Sequence, residues 1–173
     1  MKANAYLITA VIVAGLATSA WADLTAKDKE AKEEFLAKDP TLKPILSKAS
    51  GYAIFPKVAK GALGIGAATG KGQLYETGND KPVGEVKLKQ VTVGFQAGGQ
   101  AYAELILFED KTSLDNFKKG NFEFSAQVSA VAVTAGASAN AKYEKGVMVL
   151  TMAKGGLMYE ASVGGQKFKF KPY

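Results

Sequence analysis

Lysine and carboxylate are the reactive side chains this sequence offers: 22 basic residues, every one a lysine, and 16 Asp and Glu, with no histidine and no cysteine. That inventory removes thiol nucleophiles, Ser-His-Asp triads and zinc sets built on imidazole or thiolate. No metal and no cofactor is expected. The lack of arginine removes the guanidinium fork that grips phosphate or guanine edges in two places at once. What remains is lysine as a point charge for anions, and carboxylate for proton transfer or for pairing with lysine. The formal charge of +6 favours anionic partners.

Two groups of lysine stand out by spacing. Lys167, Lys169 and Lys171 alternate with Phe168 and Phe170, so a strand would bury the rings and line its outer side with ammonium groups. Lys57 and Lys60 flank a Gly-rich stretch. Both groups are candidate contacts for an anionic surface, and the terminal lysines also suit protection of a sheet edge. Among the carboxylates, Glu104 and Glu160 lie in strand-like runs of apolar residues, where burial raises a carboxyl pKa in the way a general acid requires. Structural pairing with lysine accounts for them as well. Asp110 follows Glu109 at a strand end and has the position of a helix cap.

The stretch that must position these groups runs from Gly51 to Gly72 and contains Gly51, Phe55, Pro56, Gly61, Gly64, Gly66, Gly70 and Gly72. Such spacing suits backbone that bends, takes positive φ or is approached closely. Before it the apolar period is helical and after it the period is 2. Residues 1–22 have the parts of a secretory signal: Lys2, an apolar run from Ala5 to Ala17, and Ala20-Trp21-Ala22 as a small-x-small cleavage site. Cleavage after Ala22 would leave 173 − 22 = 151 residues, one domain's worth, in the periplasm or secreted.

Residues 23–50 read as a helical segment. Asp28 to Lys32 and Glu34 to Lys38 are acid-first pairs at i,i+4, with Leu24, Ala31 and Phe35 as a thin apolar stripe. Thr41 is placed to cap a second helix that buries Leu42, Ile45, Leu46 and Ala49. Residues 51–173 read as a Gly-rich antiparallel β domain. Val86 and Leu88 alternate in one register and Val91, Val93 and Phe95 in the other, which predicts a bulge near Lys89-Gln90. Residues 101–108 read as a central strand buried on both sides. Asp110 to Gly120 reads as a surface helix, residues 125–141 as closely packed strands of small residues, and 147–152, 157–163 and 166–173 as three more strands. The fold class is α+β: a mainly antiparallel, curved sheet or partial barrel, with short helices covering one side.

Two phosphate templates fail on this chain. Gly64-x-Gly66-x-x-x-Gly70 has one residue too many for a dinucleotide fingerprint, and Gly70-Lys71-Gly72 lacks the Ser or Thr that holds magnesium. Neither nucleotide nor nucleic acid is expected as a partner.

Gly51-Tyr-Ala-Ile-Phe-Pro-Lys, Lys60-Gly-x-x-Gly-x-Gly, Gly120-Asn-Phe-Glu-Phe and Ala153-Lys-Gly-Gly-Leu-Met-Tyr-Glu-Ala-Ser-Val-Gly-Gly-Gln together resemble the SYLF-domain family, in its secreted bacterial branch. The resemblance extends from about Ser47 to Tyr173. It implies a single lipid-binding domain with no enzymatic activity, whose eukaryotic members are associated with phosphoinositide membranes and actin. Lys57 and Lys60 fall on the family motif. An exported bacterial protein would not meet its own cytoplasmic filaments, so anionic lipid, and not actin, is the expected partner. A structural or adhesive envelope protein and a lysine and carboxylate enzyme are the alternative readings.

Overall fold

A straight strand of 26 residues would be about 85 Å long, over twice the breadth of a domain this size. The strand β1, Gly51–Glu76, has that many residues and is bent double. Its two arms lie side by side, so the rings of Tyr52 and Tyr75 stack with centroids 5.0 Å apart. A Cβ at Gly72 would lie 2.1 Å from the carbonyl oxygen of Ile54, and one at Gly51 would lie 2.6 Å from that of Tyr75. Close approach of backbone is therefore what these glycines supply. β2, Gly84–Phe108, follows β1 in antiparallel register from Gly51↔Phe108 to Leu74↔Gly84 and is carried round the same bend. In the computed structural model the described residues are 24–120, 122–125, 128–155 and 163–173, with backbone alone at 62–65, 92–98 and 155. The expected signal segment, most of the expected strand at 157–163 and Glu160 lie outside them.

The remaining strands attach to the two arms of β2. β5, Val147–Gly155, pairs antiparallel with Ala101 to Phe108, and β4, Ala130–Ala132, lies parallel to β5. β6, Lys167–Pro172, pairs antiparallel with Gly84 to Lys89, and β3, Phe122–Glu123, pairs with the start of β6. Counting each arm of β1 and β2 separately, eight strand segments follow one another round a curled, mixed sheet. The sheet is a half-barrel in an α+β fold, as the alternation predicts.

Helices pack on both sides of the sheet, whereas the sequence reading put them on one. On the convex side, α1 (residues 24–38) and α2 (Leu42–Lys48) cover Ile54, Leu105, Leu107 and Leu150 with Phe35, Leu42 and Leu46. On the concave side, Leu114 and Phe117 of α3 (Lys111–Lys118) join Phe55, Phe108, Phe124 and Phe168. Phe117 stands 4.8 Å from Phe108 and 5.4 Å from Phe168, ring to ring. Each such pair contributes about 0.5–1.5 kcal/mol beyond the area it buries. Asp110 accepts from the Ser113 N–H at 2.7 Å and caps α3, and Gly120 stops it at φ +76°.

Local polar contacts depart from the sequence reading in several places. The acid-first pairs of α1 turn to the sheet: Asp28 accepts from the Tyr75 hydroxyl at 2.9 Å, Lys32 donates to the Tyr52 hydroxyl at 3.1 Å, and Glu34 pairs with Lys154. Thr41 makes no cap with its side chain. Its N–H and hydroxyl both donate to Asp39, whose other carboxylate oxygen accepts from the Ser138 N–H at 2.6 Å. Burial alone would raise the Asp39 pKa, but these bonds, with one from the Gly136 N–H, hold it well below the usual carboxylate range. Asp39 thus ties the α1–α2 corner to the loop before the 3₁₀ turn Ser138–Asn140. Of the described residues in the small-residue run 125–141, only Ala130–Ala132 is strand; Gly136 at φ +78° and the 3₁₀ turn stand where more of the expected sheet would lie.

The expected bulge at Lys89-Gln90 is absent. Gln90 is buried and Val91 exposed, continuing the register of Val86 and Leu88. Gln90 occupies an inward position because its amide donates to the Gly164 carbonyl at 2.9 Å. Register shifts fall instead between Phe55 and Val58, where Pro56 has no N–H to give the ladder, and between Leu63 and Ile65.

Candidate functional site

The convex face is divided between two covers. Over the arms that meet β5 it is roofed by α1 and α2, and over the arms that meet β6 it is open and basic. There the register sets lysines directly opposite one another across three strands. Lys71 of β1 faces Lys87 of β2, and Lys87 faces Lys169 of β6. In the next row Thr69 faces Lys89, which faces Lys167; in the row on the other side Glu85 faces Lys171. Opposed side chains of an antiparallel pair have Cβ atoms about 5 Å apart, and like charges so placed destabilise the sheet. Glu85 reaches Lys87 at 3.4 Å and Glu123 reaches Lys167 at 3.4 Å. Both are solvent-exposed pairs of the kind that contribute little. A shallow groove of about 750 Å³ runs along this face, bordered by β6 and by Lys87 and Lys89.

The expected site residues thus reach different places. Lys167, Lys169 and Lys171 all point outward, and Phe168 is buried beneath them. β6 is only partly an edge, since β3 pairs with its first two residues. Lys57 is exposed at the Pro56 bulge and lines a smaller groove of about 340 Å³ with Lys27, Thr69 and Lys71, which joins it to the lysine rows. Lys60 faces Gln100 and lines neither groove. Lys71, Lys87 and Lys89 are the residues the sequence reading missed. Their alternation was visible, but alignment across strands depends on the register of the β1–β2 hairpin and on the pairing of the distant β6 with β2. In the Gly-rich stretch, Gly51, Gly70 and Gly72 are close-approach positions, Gly61 has open space beside it, and Phe55 packs in the concave core. Gly64 and Gly66 lie in the bend itself.

Besides Asp39, two buried carboxylates lie in separate places among the described residues. Glu104 is wholly buried, accepts from the Gln166 amide at 2.9 Å and faces Thr151 across the β2–β5 ladder. Burial pushes its pKa up to about 8, against the pull of the Gln166 bond. One carboxyl oxygen of Glu104, the Gln166 amide oxygen and the Thr151 hydroxyl have no partner in this cluster. A proton on Glu104 would give it a donor beside these acceptors. Under α1, burial raises the Asp28 pKa to about 7, with the Tyr75 hydroxyl bond acting the other way. The cleft at Asp28, Lys32, Tyr52 and Tyr75 has a volume of about 30 Å³, roughly one water's share of the liquid. The lysines of the open face lie on the opposite side of the sheet from Glu104, so the described residues bring no lysine to it.

Comparison with known proteins bears on this arrangement. The model of the Ysc84 family, described as "Las17-binding protein actin regulator", matches residues 89–172. A curated relative, "Beta cell expansion factor A" of Aeromonas veronii, is 32% identical over 131 residues, 75% of this chain. The chain belongs to the Ysc84, or SYLF, family. Its matched SYLF residues run from Lys89 to Pro172 and take in most of β2, part of the concave core and the three row lysines on β6. The chain spans about half the length of the relative, 49%. Among the described residues no helix is long and apolar enough to cross a membrane.

Proposed function

We propose that this SYLF domain is a non-enzymatic module that docks on anionic membrane through the open lysine face. The observation that supports this reading is the row Lys71–Lys87–Lys169, three like charges held opposite one another on adjacent strands. Such a row lowers stability in isolation, and an anionic surface turns the same charges into binding energy. Each lysine near such a surface contributes on the order of 1 kcal/mol.

Changing Lys167, Lys169 and Lys171 together to Gln keeps the strand alternation and removes only charge. Co-sedimentation with vesicles of phosphatidylglycerol in phosphatidylcholine is expected to weaken by about 100-fold. Binding of the parent is expected to be largely lost in 1 M salt, where the Debye length falls to about 3 Å. Indifference to both changes would overturn the electrostatic reading in favour of an apolar pocket for a single lipid.

The reading also places the protein outside the cytoplasm, with residues 1–22 removed on export, and so away from actin. Ala20 and Ala22 supply the small residues that a signal peptidase requires. The envelope or secreted form is expected to have an intact mass beginning at Asp23; a mass retaining those residues would sink the export proposal.

A further inference from the structure

The lysine rows end in an apolar row. Along β2 the outward positions run Glu85, Lys87, Lys89, Val91, and along β1 they run Lys71, Thr69, Ala67, with Ala67 opposite Val91. Val91 is 73% exposed, against a core in which the other described valines of the sheet are buried or half-buried. The row lies toward the bend of the doubled hairpin, on the opposite side of the sheet from α3. One continuous face therefore passes from basic to apolar as it nears the bend.

We infer that the bend end of the hairpin enters the membrane first, with Val91 in the boundary between headgroups and acyl chains and the lysines behind it at the phosphates. This inference rests on the membrane reading above and adds to it an orientation and a penetrating residue. The spacing fits that boundary. Residues on one side of a strand recur every 6–7 Å or so, which puts Lys89 one such step behind Val91 and Lys87 two steps behind. Elements that lie in the interface bury their apolar side about 5–10 Å deep. With Val91 at that depth, Lys89 stands level with the phosphates, and Lys71 and Lys87 reach them by extending their stems. The charge on the face selects an anionic bilayer over a second copy of the chain, since pairing two such faces would bring lysine rows against lysine rows.

The chain has no cysteine, so a single one can be introduced and labelled without background. Val91→Cys and, on exposed α3, Thr112→Cys would each carry an environment-sensitive NBD probe. With phosphatidylglycerol-containing vesicles, the probe at 91 is expected to brighten several-fold, shift to the blue and be quenched by doxyl-labelled lipid. The probe at 112 is expected to stay in water. Unlabelled Val91→Asp, at a position too exposed to matter for folding, is expected to lower vesicle affinity about tenfold or more, the share of one buried valine. If vesicles sediment the protein while the probe at 91 stays aqueous, the orientation is wrong and the lysine reading survives. If vesicles do not sediment it, both fall. If the probe at 91 responds to protein concentration without lipid, a second copy covers the row and the inference is overturned.

Discussion

Gly72→Ala is expected to destabilise the domain by about 3 kcal/mol or more, the upper range for overpacking a well-packed site. The new methyl would lie 2.1 Å from the Ile54 carbonyl oxygen, 2.9 Å from its carbon and 2.8 Å from a ring carbon of Phe55. Two of those three atoms are backbone of the neighbouring arm, which cannot turn aside as a side chain can. The arms of β1 would have to separate, and the stacked Tyr52 and Tyr75 with them. For a domain of this size about 1 kcal/mol corresponds to 2–4 °C in Tm, so a fall of roughly 6–12 °C follows. Gly61→Ala is the matched control, because nothing lies within 4 Å of its Cβ position. Its stability is expected to hold or to rise by up to about 1 kcal/mol, through lost freedom in the unfolded chain. Urea unfolding of the two variants decides the matter, and equal midpoints would mean that β1 is not bent as described.

Glu104→Gln is expected to change how stability depends on pH. The folded state holds the Glu104 proton up to about 8 because of burial, while the unfolded chain releases it near 4.3. The contribution is therefore fully present below the unfolded pKa and is lost as pH rises through that window, at most about 5 kcal/mol in all. Asp28, raised to about 7 by burial, adds a loss of the same sign in the lower part of the window. Asp39 acts oppositely, since its bonds favour the charged form and their contribution disappears in acid. Glutamine cannot ionise, so the variant should match the parent within about 1 kcal/mol at pH 5 and exceed it by a few kcal/mol at pH 9. Asp28→Asn in both backgrounds separates the second carboxylate. A variant with the parent's slope between pH 5 and 9 would show that Glu104 is already ionised in the fold.

Much of this architecture was legible where one residue's neighbours along the chain decide its environment. Residues 102–108 of the expected central strand are buried on both faces, and Asp110 with Gly120 bounds a helix. Where the deciding partner is distant, the pattern misled. Gln90 looks outward by polarity but is inward because Gly164 accepts its amide, and that one polar residue made a continuous register look shifted. Asp39 looks like a helix break and is a hub for N–H groups nearly a hundred residues away. The lysine face was half legible. Alternation showed that Lys167, Lys169 and Lys171 point outward, but only the pairing of β6 with β2, and of β2 with the folded-back arm of β1, sets them against Lys87, Lys89 and Lys71.

The position of β6 has a consequence during folding. It pairs with Gly84 to Lys89 although it comes last among the described strands, so this edge of β2 stays unpaired until the last of them docks. A chain with β1 and β2 folded but β6 not yet docked presents an open strand whose inward Val86 and Leu88 are otherwise buried. Open edges of that kind are templates for pairing between chains. Lys87 and Lys89 on the same edge act as gatekeepers in this interval, since their charge repels the matching edge of another unfinished copy. The lysines proposed to face the membrane in the finished domain thus serve first to keep folding chains apart.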